Sequence, residues 1–258
     1  MIKDITIRGG LNKNQQPEQV KSVVFKMGNI VSIVGPTGSG KTTLISDLEA
    51  FALSDTPSGR RVLINGRAAP LKYRDNPHLN PVARITQHTN FLSDLPVKEF
   101  LSIHAGIRHP SGKTAGIAER TLAFADKLTG EPVPPCCRMT ELSGGQTRAL
   151  LIADAAVISD APVVLLDEIE NAGIDRMKAL ELLRARRKIY IFVTHDPYIA
   201  LLSDFRIVMR NGSMERVIRT DPEERRLCEK VRKLDAALSG LRESIRDGKR
   251  LTSKELTA

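Results

Sequence analysis

The chain has 258 residues, with 39 Lys and Arg against 30 Asp and Glu, a formal charge of +9 and a pI near 9.6. That length suits one large domain, or one domain with a subdomain; no run reaches the ~18 to 20 apolar residues of a membrane span, and the first residues lack a signal-peptide pattern, so the expected location is cytoplasmic. The basic charge suits an acidic partner (nucleotide, nucleic acid or anionic membrane face) or is a solvated Arg-rich surface, and with no Trp and three Tyr the core must be mostly aliphatic.

In chain order, Ile2 to Ile7 alternates weakly and predicts an edge strand. Gly9 to Gln19 is polar and turn-rich, a loop, and Val20 to Met27 predicts a second strand. The apolar run Ile30-Val31-Ser32-Ile33-Val34 then predicts a short buried strand. It leads into Gly35-Pro36-Thr37-Gly38-Ser39-Gly40-Lys41-Thr42, which matches a phosphate-binding loop at every constrained position, and Thr43 to Leu48 follows with helical spacing. Glycines let backbone N–H groups turn inward around a phosphate, and the helix N-terminus adds partial positive charge. Lys41 can reach the β- and γ-phosphates, and the Thr42 hydroxyl can ligate Mg²⁺. The loop therefore implies a nucleoside triphosphate. Arg61 to Ile64, closed by Asn65-Gly66, predicts a strand ending in a tight turn.

From Pro96 to Ala156 the spacing is helical, with Val97, Phe100, Leu101 and His104 on one stripe and Ala118, Leu122, Ala125 and Leu128 on another. His104 and His109 lie five apart, which does not suit a shared metal. Glu131 to Pro135 is a Pro-rich break, and Cys136-Cys137 after it predicts a reduced loop pair; with Cys228 these three cysteines make no disulfide framework. Pro162 opens a strongly apolar strand, Val163 to Leu166. A short helix (Met177 to Arg186), a strand (Ile189 to Val193) and two last strands around Asn211-Gly212 complete the pattern. Strands alternating with helices predict an α/β fold: a phosphate-loop NTPase core with a mostly parallel sheet, N-terminal antiparallel strands and an inserted helical subdomain. Residues 221–258 differ: Leu227, Val231, Leu234, Leu238, Leu241 and Ile245 follow a heptad seam on a charged helix, expected to pack on the protein's own surface.

Two further motifs decide the reading. Val163 to Leu166 ends in Asp167-Glu168; Asp167 suits the Mg²⁺ shell and Glu168 the position of an attacking water. Leu142-Ser143-Gly144-Gly145-Gln146 stands within the helical block. In the same chain as the phosphate loop and the acid pair, it makes residues 1–220 resemble an ATP-binding cassette (ABC) ATPase. The resemblance implies ATP and Mg²⁺, and a sheet core at about 1–89 and 159–220 with a helical subdomain at about 90–158. It further implies a head-to-tail dimer, in which Ser143, Gly144, Gly145 and Gln146 of one copy close on the phosphate loop (Gly35 to Thr43) of another. Gln87 matches the glutamine that senses Mg²⁺ and water, His195 the histidine that contacts the γ-phosphate, and Asp175 the loop that communicates across the dimer.

Some positions depart from the family's pattern. No aromatic stands between Arg8 and Gln19, where the family stacks one on adenine; Arg8 or Leu11 is a candidate substitute, since Phe25 reads as core. The usual Pro after the acid pair is Ile169, and the usual arginine three residues after the signature is Ala149, with Arg148 beside it. Family prevalence favours the cytosolic ATPase subunit of a transporter, paired with a separate permease that touches Phe91 to Phe100 and holds the cassette peripherally at the inner membrane face. The alternative is a soluble cassette ATPase driving assembly or activation of a cytosolic enzyme or a nucleic-acid complex. Nucleic-acid cassettes insert a long coiled coil or carry two cassettes, and this chain has neither.

Overall fold

A computed structural model of the protein describes residues 2–76, 79–86, 88–110, 112, 114–159, 161–167, 174 and 176–250. Its first half contains β1 (Asp4–Arg8), β2 (Ser22–Lys26), β3 (Ile30–Val34), α1 (Lys41–Glu49), β4 (Arg61–Ile64), β5 (Arg67–Ala68), the single turn α2 (Lys72–Asp75) and β6 (Val82–Ile85). Three helices follow: α3 (Val97–Arg108), α4 (Ile117–Asp126) and α5 (Gly144–Val157). The rest alternates: β7 (Val163–Asp167), α6 (Arg176–Arg184), β8 (Ile189–Val193), α7 (Pro197–Leu202), β9 (Phe205–Arg210), β10 (Ser213–Arg219) and the long α8 (Pro222–Arg246).

Two sheets result. One is antiparallel with order β2-β1-β4-β5, and the other has order β10-β9-β3-β8-β7-β6. In the larger sheet β9, β3, β8, β7 and β6 run parallel, and β10 closes one edge as an antiparallel hairpin. β7 and β8 are buried along almost their whole length, the continuous apolar run that a two-sided parallel strand requires. The expected mostly parallel sheet with N-terminal antiparallel strands is present. β1, expected at an edge, instead lies inside its sheet, with Ile5 opposite both Phe25 and Ile64. Alternation reports which face a strand buries and not which strands flank it, so strand order is a nonlocal property.

Side-chain alternation sorts the core into two layers. Val163 and Leu165 of β7 join Ile5, Ile7, Phe25 and the α1 residues Leu44, Ile45 and Leu48 on one face. Val164 and Leu166 join Leu101, Leu122 and Leu150 of the three helices on the other. Phe25 is fully buried and stacks on Phe205. The helical block therefore shares its core with one face of the sheet.

α5 is the axis of that block. His104 Nδ1 lies 2.8 Å from Asp154 Oδ1, and His109 Nε2 lies 2.9 Å from the Ile158 carbonyl, so both histidines tie α3 to α5. Lys188 Nζ donates to the carbonyls of Ala155 and Ser159 at 2.8 and 2.6 Å, supplying a cation where a helix leaves its last carbonyls unsatisfied. The cysteines are all unpaired: Cys136 is exposed and Cys228 buried.

α8 packs along only part of its expected seam. Cys228 is buried, and Val231 packs beside it, while Leu227, Leu234, Leu238 and Ile245 are 48%, 67%, 48% and 60% exposed. The helix is anchored near its start by Arg206, whose Nη1 donates to Glu224 Oε2 at 3.0 Å. Of the seam residues Val231 packs against the core, and the neighbouring Cys228, off the seam, is buried with it.

Candidate nucleotide site

The site is built on strand ends. Ile33 of β3 is in register with Val193 of β8, and Val193 with Asp167 of β7. The carboxyl ends of three adjacent strands therefore meet in one row, about 10 Å wide at ~4.8 Å per strand. From that row come the phosphate loop after Val34, Asp167 itself, and Thr194-His195 after Val193. Crevices at the carboxyl ends of parallel strands are where open α/β sheets bind ligands.

The phosphate loop is shaped by close packing. A Cβ on Gly35 would stand 2.3 Å from the Met209 carbonyl oxygen, and one on Gly40 (φ +98°) 2.8 Å from Gly212 Cα. No other residue fits at either point. The Gly212 N–H donates to the Ser39 carbonyl at 2.8 Å. Lys41 is buried, and its ammonium donates to the carbonyls of Gly35 and Pro36 at 2.8 and 3.2 Å. The loop thus folds around its own lysine. Pro36, Thr37 and Gly38 are exposed, as are Thr42 and Thr43 in the first turn of α1. The Ser39 hydroxyl is buried with no hydrogen-bond partner among the described residues, a costly arrangement that an anion's oxygen would relieve.

Behind the loop lies a fully buried ion cluster. Arg60 Nη2 is 2.5 Å from Glu18 Oε1, and Nη1 is 3.0 Å from Asp47 Oδ2. The same guanidinium donates to the Gly212 carbonyl at 2.6 Å, and the Ser58 hydroxyl donates to Asp47 at 2.8 Å. Burial holds the Glu18 carboxyl above its ordinary value, against the opposing pull of Arg60. The cluster joins the N-terminal loop, α1, the start of β4 and the β9–β10 turn at one point. The Arg60-Arg61 pair after Gly59 gives no sequence signal of this.

Asp167 is partly exposed, and its carboxylate lies 3.8 Å from Arg84, which also pairs with Glu49 at 2.9 Å. His195 is exposed, and the backbone after it is fixed. The Asp196 carboxylate caps α7 by accepting from the N–H groups of Tyr198 and Ile199 at 2.7 and 3.1 Å, with Pro197 at the first helical position. Gln87, Glu168 and Asp175 lie outside the described residues.

The signature motif stands elsewhere. Ser143 caps α5: its hydroxyl accepts from the Gln146 N–H at 3.2 Å while Gln146 Oε1 accepts from the Ser143 N–H at 3.0 Å, a reciprocal capping box. Gln146 Nε2 also donates to the Pro132 carbonyl at 2.9 Å. Ser143 and Gly144 are exposed, and Gly145 and Gln146 half-buried. α5 packs on α4 and reaches the sheet at β6, three strand spacings from β3, the strand that leads into the phosphate loop.

Three residues gain roles that sequence reading missed. Ala149 is fully buried, which leaves no room for an arginine there. The neighbouring Arg148 donates instead to the carbonyls of Thr86 and Thr89, the latter at 3.2 Å, and so ties the signature helix to the segment that follows β6. From the loop between Arg8 and Gln19, Lys13 Nζ donates to the Gly38 carbonyl at 2.8 Å. Arg84 supplies the cation beside Asp167. Each contact joins residues far apart in the chain, so no local pattern marks it.

Comparison with known proteins shows the family and the fold. Residues 19–171 match the ABC transporter family. An uncharacterized ABC transporter ATP-binding protein of Methanocaldococcus jannaschii is 49% identical over 256 residues, covering 99% of this chain and 97% of its own. A sulfate/thiosulfate import ATP-binding protein of Synechocystis sp. is 32% identical over 200 residues, 74% of this chain but 53% of that longer protein. Among solved structures, the ADP conformation of an ATP-binding cassette of an ABC transporter superposes with a TM-score of 0.63 at 21% identity, covering 92% of this chain and 99% of the other. A component of an ABC transporter complex from Clostridium perfringens gives 0.62 at 21% identity, with 95% and 100% covered. Among the described residues, no helix is long and apolar enough to cross a membrane. The chain belongs to the ABC transporter family and is an ATP-binding-cassette ATPase of the phosphate-loop α/β fold.

Proposed function

We propose that the chain is the ATP-binding subunit of a transporter, binding ATP and Mg²⁺ around Gly35 to Thr43 and hydrolysing ATP across the interface of two cassettes. The observation that carries the reading is the register of β3, β8 and β7, which gathers the phosphate loop, Asp167 and the segment bearing His195 at one end of the sheet. In this reading the loop's N–H groups and Lys41 cradle the phosphates. Thr42, Asp167 and Gln87 offer hard oxygen donors of the kind Mg²⁺ prefers. Bound there, Mg²⁺ would neutralise charge on the phosphates. Glu168 orients and deprotonates water, and His195 donates toward the γ-phosphate.

The second half of the site would come from another cassette. Ser143, Gly144, Gly145 and Gln146 form a capped helix start with Ser143 and Gly144 exposed, which suits an anion, and their helix meets the sheet at β6, three strands from β3. Asp175 would act across the same interface. The helical block, about 90–158, is the unit we assign to carrying ATP-driven motion to a separate permease. Support for that surface is Leu92, 99% exposed, with Ile103 and Ile107 exposed on α3. The cassette would then sit at the membrane through its partner.

Replacing Glu168 with Gln should leave ATP binding intact, slow hydrolysis ~10²- to 10⁴-fold and trap an ATP-dependent dimer visible by size-exclusion chromatography. Hydrolysis at the parental rate would remove Glu168 from the role of base. Ser143→Arg should abolish turnover while each chain still binds ATP; unchanged turnover would exclude the shared site. A tagged chain should capture a polytopic membrane protein from detergent extracts, and capture of a soluble enzyme instead would replace transport with assembly or activation.

A further inference from the structure

Lys13 stands at the tip of a preorganised turn. Asn12 Oδ1 accepts from the N–H groups of Asn14 and Gln16 at 2.8 and 3.0 Å, and the Asn12 N–H donates to the Gln16 carbonyl at 2.8 Å. The turn is then locked beside the phosphate loop. The Lys13 N–H donates to the Asn211 carbonyl at 3.0 Å, the Gly212 N–H donates to Ser39, and a Cβ on Gly212 would stand 3.0 Å from Lys13 Cγ.

The ammonium rests on the Gly38 carbonyl at 2.8 Å and is exposed. Among the described residues no carboxylate pairs with it, so its charge is not cancelled locally. An ammonium carries three donors, and the Gly38 carbonyl occupies one. Lys41 lies on the loop's inner side against Gly35 and Pro36, and Lys13 lies on its rim against Gly38. The turn and its flanks, residues 9–19, contain no aromatic side chain that could stack on a base.

We propose that Lys13 is a second nucleotide-binding lysine, and that it directs recognition toward the phosphates of a nucleoside triphosphate rather than toward its base. An exposed, uncancelled cation beside a phosphate loop contributes Coulomb attraction that any nucleoside triphosphate shares. The site therefore accepts purine triphosphates with little base discrimination. The inference rests on the nucleotide-site reading above and adds a residue and a selectivity to it.

Equilibrium titration of the full chain with ATP and with GTP, at low and at high salt, tests it. The parent should bind both within a few-fold of each other. Lys13→Ala should weaken both by about tenfold or more, the effect of losing a charge-assisted hydrogen bond, and should flatten the salt dependence. Lys13→Arg should restore affinity and salt dependence, because it keeps the charge, and the melting temperature should hold in both variants. Unchanged affinity in Lys13→Ala would overturn the proposal. So would a loss that follows a fall in melting temperature or leaves the salt dependence intact, since Lys13 would then only brace the loop. Strong preference of the parent for ATP over GTP would overturn the selectivity. Lys41→Ala is the control: if it binds ATP like the parent, the nucleotide-site reading itself fails, whereas its loss of binding beside a normal Lys13→Ala fails this inference alone.

Discussion

The phosphate loop is shaped by contacts from distant parts of the chain, whereas the signature motif is shaped largely by its own four residues. Gly35 and Gly40 fit against Met209 and Gly212, about 170 positions downstream, and Gly212 is held in turn by the buried Arg60. Ser143 and Gln146 satisfy each other's backbone within one turn. The difference follows from what each piece must do. A cradle for a multiply charged ligand needs its N–H groups fixed before the ligand arrives. A cap that approaches from another molecule needs only a well-formed helix start that stays exposed. The first should therefore fail through long-range changes, and the second through local ones.

The largest break should come from Arg60→Ala, which leaves Glu18 and Asp47 as buried charges without their cation. Removing one partner of a buried pair costs ~3 to 5 kcal/mol, measurable as a lower denaturant midpoint, and ATP affinity should fall with it. The variant also carries a pH signature. Burial already raises the Glu18 carboxyl, and without Arg60 it rises further. A carboxyl whose folded value lies above its unfolded value binds more protons in the native state. Stability should then decline as pH rises through the interval between the two values, so Arg60→Ala should be relatively less handicapped in mild acid. A handicap that grows in acid would refute this account of the cluster.

Gly40→Ala comes next. The new methyl would meet Gly212 Cα at 2.8 Å from a left-handed backbone, a strain of ~1 to 3 kcal/mol. Nucleotide titration should show weaker binding in this variant even though no donor to phosphate has been removed. Ser143→Ala should cost only ~1 kcal/mol, with ATP binding to the single chain untouched. If Ser143→Ala weakened that binding as much as Gly40→Ala, the contrast between the two halves would collapse.

The smallest effect belongs to Glu224, whose carboxyl is held below its usual range first by its hydrogen bond to Arg206. Its contribution is complete above the unfolded carboxylate value and is lost as pH falls through the lower folded one. Glu224→Gln should therefore cost under ~1 kcal/mol at neutral pH, and parent and variant should converge in acid unfolding curves. Persistence of the full difference at low pH would remove the ion pair as its cause.

The same contrast explains how much could be read before any coordinates. β3 with its loop, β7, β8, the Asn65-Gly66 and Asn211-Gly212 turns and the three helices all carry local signals of apolar runs, glycine turns and 3.6-residue spacing. They stand where expected. β6 did not announce itself, because Val82-Ala83-Arg84-Ile85 is short, follows Pro81 and has a charge in its middle. The inner position of β1 could not be read either, since strand order depends on partners. On α8 the heptad spacing is real, yet only Val231 of the seam packs against the core, beside the off-seam Cys228, because packing partners distant in the chain decide which side chains are covered. In the site, Lys41, Thr42, Asp167 and Ser143 belong to contiguous motifs and were legible. Lys13, Arg60, Arg84 and Arg148 act across 25 to 152 positions of chain and were not.

α5 can also be regarded as a lever. Its carboxyl half is pinned by Lys188, His104 and His109 to the sheet and to α3, while its first residues carry the exposed signature. Fourteen residues at ~1.5 Å each span about 21 Å, so a rotation of roughly ten degrees about the pinned end would sweep Ser143 through about 4 Å. Arg148 sits one turn from the moving tip and grips the Thr86–Thr89 turn. A displacement of the tip would thus be felt first at Thr86 and Thr89, just past the end of β6, the strand paired with the one that carries Asp167.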